Sequence, residues 1–113
     1  MSVSVKTFYR GACPLSLATP LYTHSTAANG TGILAFIEAQ NRAYTPSTLT
    51  VYVVPSGGTD GDSNVMIDGE AGKLRARGAG KWKGWRVLVD GDMIYAVATV
   101  GPVALSISGQ TIL

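Results

Sequence analysis

Apolar and polar residues alternate in short runs along this chain, and nearly every run stops at Gly, Pro, Asn or Asp. The segment Leu49-Thr50-Val51-Tyr52-Val53-Val54-Pro55-Ser56-Gly57-Gly58 shows the rule in its plainest form. Leu49, Val51 and Val53 fall on one side of a pleated strand and Thr50 and Tyr52 on the other, and Pro and paired Gly then end it. The same reading predicts strands at residues 3–9, 19–24, 31–39, 48–54, 65–67, 82–89, 92–99 and 103–107, with 108–113 as an extension or a short tail. Pro20 suits a sheet edge or a strand start. In 31–39, Ile33, Ala35 and Ile37 are expected on one face and Leu34, Phe36 and Glu38 on the other; both are largely apolar, which places this strand centrally or between layers. Asp90-Gly91 predicts a type I′ hairpin turn with a returning strand that shows Ile94, Ala96 and Ala98 on one face. A weak helical signal over 70–77 is cut by Gly72 and Gly78.

Seven or eight short strands without a sustained helix predict an all-β fold, a single antiparallel β-sandwich that can take jelly-roll form. A chain of 113 residues can bury one core and not two. Residues 1–18 read as an N-terminal arm or a first strand, and residues 19–113 as the sandwich domain. Charged residues are only 14% of the chain against 46% hydrophobic, so Ser, Thr, Gly and apolar atoms must cover much of the surface, a composition suited to self-association or to a larger assembly. The net charge of +2 decides little. The N-terminal residues carry no export signal and no run is long enough to span a membrane, so the expectation is synthesis in the cytoplasm and no membrane partner.

Candidate chemistry is sparse. Cys13 is a lone thiol, read as a small buried side chain, with His24 the only conceivable base. His24 itself lies in no nucleophile-elbow context and reads as a surface residue near a strand end. Asp60-Gly61-Asp62-Ser63-Asn64 spaces oxygen ligands at alternate positions, but it lacks the downstream Glu of a calcium loop and reads as a solvated turn. No catalytic residue, metal ligand or cofactor is expected.

The densest constellation is basic and aromatic. Lys73, Arg75, Arg77, Lys81, Lys83 and Arg86 place six of the nine positive side chains within 14 residues, interleaved with Trp82 and Trp85. Strand spacing sends Lys73, Arg75 and Arg77 to one side, and sets Lys81 and Lys83 opposite Trp82. Cations beside tryptophans can hold single-stranded nucleic acid or a sugar ring. The modest net charge disfavours nucleic acid, and the favoured reading makes these eight residues partner contacts, with the tryptophans in the core or in a seam between subunits.

Five further segments carry a family resemblance: Leu21-Tyr22-Thr23, residues 33–41, residues 50–58 with Val53-Val54-Pro55-Ser56-Gly57-Gly58, Gly91-Asp92-Met93-Ile94-Tyr95-Ala96, and residues 103–109 ending in Ile107-Ser108-Gly109. In order and spacing they resemble small β-sandwich virion structural proteins of tailed bacteriophages. The likeness covers roughly residues 19–109; His24-Ser25 and the basic segment 73–86 depart from it. It implies a non-enzymatic virion component, whether a head-decorating protein, a neck or tail accessory or a module of a fibre; a single domain without a long fibre extension makes a capsid decoration or cement protein stabilising neighbouring shell subunits the favoured expectation, with a tail or neck accessory protein as the alternative. The partners implied are major capsid or tail and neck subunits and further copies of the chain, a trimer suiting head decoration. The rival from another class is a carbohydrate-binding module using Trp82, Trp85, Tyr52 and Tyr95.

Overall fold

The computed structural model describes residues 2–16, 19–58 and 64–113, with Trp85 described by its backbone alone. Among these residues nine strands form: β1 (Val3–Ala12), β2 (Tyr22–Thr23), β3 (Thr31–Asn41), β4 (Ser47–Val54), β5 (Val65–Ile67), β6 (Lys73–Leu74), β7 (Ala79–Leu88), β8 (Met93–Ala98) and β9 (Val103–Ile112). A single helical turn, α1 (Thr26–Asn29), and a 3-10 turn at Gly69–Gly72 complete the set. The strands lie within about three residues of the alternating runs, and β9 absorbs most of the segment that read as a tail.

Two antiparallel sheets result, ordered β1-β9-β3-β7 and β2-β8-β4-β5, with β6 adding to β4. The first strand pairs with the last and the second with the last but one, as in a long hairpin wound over on itself. This is jelly-roll order. Pro20 precedes β2, which is an edge strand as the proline suggested. The core lies between the sheets: Leu34, Ile37, Leu88, Leu105 and Ile107 from one face Leu49, Val51, Ile94 and Ala96 from the other, all at most 2% exposed. Each large aliphatic buried this way is worth about 1.5–3 kcal/mol of transfer free energy.

Three expectations change. The alternation in β3 breaks at Ala35, where the register with both neighbours shifts between Leu34 and Phe36. A bulge inserts one residue and reverses the parity of everything after it, so Leu34 and Ile37 both point inward while Phe36 turns out and is 47% exposed. Gly109 makes the bulge possible, since a Cβ there would collide with the carbonyl oxygen of Ile33. The Asp90-Gly91 turn is not a hairpin: β7 and β8 belong to different sheets, and the turn carries the chain from one to the other. Only Gly91 has positive φ, at 84°, and Asp92 N donates to Val89 O at 3.1 Å, so one left-handed residue suffices where type I′ needs two. The helical signal over 70–77 survives only as the 3-10 turn at its start; from Lys73 the chain pairs with Thr48 of β4.

Candidate functional site

The outer face of the four-stranded sheet is built in rows, because residues paired across strands point the same way. Register places Val5, Gln110, Ile33 and Val87 in one row, Thr7, Ser108, Phe36 and Lys83 in the next, then Arg10, Ser106, Glu38 and Lys81, then Ala12, Ala104, Gln40 and Ala79. Val5 is 86% exposed, Phe36 47% and Val87 44%, so the half nearer the start of β3 leaves large apolar side chains uncovered among Gln110, Thr7, Ser108 and Lys83. Its other half is polar with a floor of small residues. There an open hollow of about 400 Å³ lies among Arg10, Glu38, Gln40, Lys81 and Ser106. Among the described residues the only ion pair is Lys73–Glu70 at 2.7 Å, so Arg10, Glu38 and Lys81 are not spent on one another.

Where β3 ends, two connections are locked together. Asn41 is fully buried and bonds to both: its Nδ2 donates to Thr45 O at 2.8 Å and to Arg75 O at 3.1 Å, and its Oδ1 accepts from Ala43 N at 3.0 Å. The backbone adds Asn41 N to Gly78 O at 2.8 Å and Arg77 N to Ala43 O at 2.9 Å. Gly78 N donates to Arg75 O at 2.9 Å, which closes a turn with Arg77 in left-handed conformation, φ 60°. Arg77 Nη1 donates to Arg42 O at 2.9 Å, and its guanidinium lies 5.2 Å from the ring centre of Tyr44, which is 84% exposed. Arg42 and Arg75 are exposed alongside.

The basic segment of the sequence therefore divides among four places. Lys73 sits in β6 beside Glu70, and Arg75 and Arg77 sit in the turn, not on one strand face, because β6 stops at Leu74. Lys81 and Lys83 point outward from β7 while Trp82 points inward, the arrangement that spacing predicted. Trp82 is partly buried against the core, and its Nε1 donates to Ala71 O at 2.8 Å. Arg86 shares the inner face with Leu34 and is half-buried. The Trp85 side chain lies outside the described residues. Tyr52 and Tyr95 are direct cross-strand partners on the outer face of the other sheet, so the aromatics of a sugar platform do not converge with Trp82.

Arg42, Tyr44, Asn41, Phe36 and Arg10 are the residues that sequence reasoning missed. Phe36 was hidden by the bulge, and Asn41 to Tyr44 carried only the ordinary signal of a loop between two strands.

The two reactive side chains stand apart. Cys13 is buried, its N donates to Val103 O at 2.8 Å near the end of β3, and burial pushes its thiol up to about 11. His24 is 2% exposed, not a surface residue, and stands against Gly32 at the start of β3. Its Nε2 donates to Gly30 O at 2.8 Å, since a carbonyl can only accept, and its Nδ1 lies 2.9 Å from the Tyr22 hydroxyl, so both ring nitrogens are partnered. The two lie about 30 Å apart along β3 by strand rise. Asp90 Oδ1 caps Thr26 N at 3.0 Å and Asp92 Oδ2 accepts from Val89 N at 2.9 Å, the turn duties their Gly neighbours suggested. Residues 59–63 of the acidic segment lie outside the described residues, and no group of three His, Cys, Asp or Glu able to hold a metal occurs among the rest. Comparison with protein-family models, with curated proteins and with solved structures finds no match for this chain.

Proposed function

We propose that this protein is a non-enzymatic structural subunit of a bacteriophage particle, a capsid decoration or cement protein that works by laying the outer face of its four-stranded sheet against neighbouring subunits. The observation that carries the reading is the run of uncovered apolar side chains on that face, Phe36 with Ile33 and Val87 beside it, and Val5 further out on the edge strand. Contiguous exposed apolar surface on a small domain marks a contact site. The sequence resemblance supplies the setting.

Size argues for a repeated contact. Four strands and four rows cover roughly 500 Å² by strand spacing and rise, below the ~800 Å² per partner of an ordinary stable interface. One such contact is weak. Repetition over a shell or ring converts weak contacts into firm attachment, which is how a cement subunit works.

Mass spectrometry of purified particles tests the reading: the chain is expected in stoichiometric amount and in the head fraction, a tail fraction would move it to the tail or neck, and absence from particles would overturn it. Phe36→Asp is expected to abolish attachment while leaving the fold intact, since Phe36 contributes nothing to the inner face.

A further inference from the structure

We propose that Arg77 and Tyr44, held rigid at the end of β3, form a docking site for an acidic segment of a partner protein. This deepens the assembly reading by naming a second contact and its chemistry, and it rests on that reading only for the partner being another subunit.

Rigidity is the first argument. Exposed loops ordinarily lose freedom on binding, and that loss opposes association. Here the buried Asn41 amide ties residues 42–46 to residues 75–78 before any partner arrives. The Arg77 guanidinium is fixed by Arg42 O on one nitrogen and by the Tyr44 ring below it. Of its five N–H donors, the Arg42 carbonyl takes one, and the planar fork matches a carboxylate in bidentate geometry.

Residue choice is the second argument. Position 77 needs positive φ, which glycine or asparagine adopts at lower cost than arginine. The arginine there bears that cost, and its charge is presented at the surface. Tyr and Arg are also the side chains that most often dominate protein contacts.

Charge decides the class of partner. Arg42, Arg75 and Arg77 face solvent without a carboxylate among their described contacts, while Lys73 is matched by Glu70. Three arginines and one exposed ring, with Arg77 over one of its faces, suit a short run of Glu or Asp. A single-strand nucleic-acid site would call for a longer track of cations and several stacking rings.

The test uses the full chain and a fluorescein-labelled peptide of alternating Glu and Gly, read by fluorescence anisotropy at low and physiological salt, with an oligothymidylate of equal length as competitor. Saturable peptide binding is expected, weakened at least about tenfold by Arg77→Gly and by Tyr44→Ala. Arg77→Gly is expected to keep the melting temperature within about 5 °C, because relief at φ 60° offsets the lost contacts. If that variant fails to fold, Tyr44→Ala with Arg75→Ala decides. No saturable binding, binding unaffected by these variants, or tighter binding of the oligonucleotide would each overturn the proposal. The Phe36 face and the particle measurement are independent of all three outcomes, so the assembly reading stands or falls separately.

Discussion

At each end of the sandwich a buried polar side chain ties the chain together, His24 where β3 begins and Asn41 where β3 ends, at 2% and 0% exposed. Both are fully bonded, and among the described residues no buried side-chain nitrogen or oxygen lacks a partner. The consequences differ. His24 joins Tyr22 to Gly30 and stands over Gly32, inside a ring contact that continues from Tyr22 to Phe8 at 4.9 Å, so its bonds seal the core. Asn41 bonds outward to two connections, and the result is an exposed arginine on an exposed tyrosine. A buried polar group can therefore serve closure at one end and presentation at the other, and only the geometry of its partners tells which.

The largest effect that separates the ends is expected from His24→Ala. It opens a cavity and leaves the Gly30 carbonyl without its partner, so a loss of about 3 kcal/mol should appear in denaturant unfolding. Peptide binding by the folded fraction should not change. Asn41→Ala should cost about 2 kcal/mol, because Arg75 O and Thr45 O can turn to water more easily at a loop end. It should also raise hydrogen exchange in residues 42–46 and 75–78 and weaken peptide binding, the pairing of effects that His24→Ala lacks. An equal binding loss in both variants would collapse the distinction.

A pH-dependent effect, not felt at neutral pH, belongs to the Asn41 end. Burial raises the Cys13 thiol from 9.0 to about 11, so the folded chain keeps that proton after the unfolded chain has lost it. Stability from this source is whole below about pH 9 and falls as pH rises toward 11, by at most about 3 kcal/mol. Burial raises Tyr22 in the same direction at the other end. Cys13→Ala should remove the part of the alkaline slope that begins near pH 9 and leave the part due to Tyr22.

Sequence periodicity reached the sandwich because the inner residues of β4 and β8 alternate without interruption: Leu49, Val51 and Val53, then Ile94, Ala96 and Ala98. It failed where one residue reverses parity. Nothing in Ile33-Leu34-Ala35-Phe36-Ile37 announces a bulge, since both faces are apolar; the sign is Gly109, distant in the chain and adjacent in the sheet. The basic segment was visible as composition but not as a surface. Its cations divide between β6, a turn and both faces of β7, and the turn gains its meaning from Arg42 and Tyr44, which no local pattern connects to it. His24 looked exposed because one histidine near a short strand carries no burial signal; its cover comes from Gly32 and Gly30, neighbours through the fold.

The central claim is that the Phe36 face and the Tyr44 platform exist to be covered. Hydroxyl-radical footprinting of the free chain against the chain in purified particles measures that cover residue by residue. Phe36 and Tyr44 should label readily in the free protein and lose most of their labelling in the particle, while Tyr95 on the opposite sheet keeps its own. Unchanged labelling of Phe36 and Tyr44 in particles that contain the chain would contradict the account.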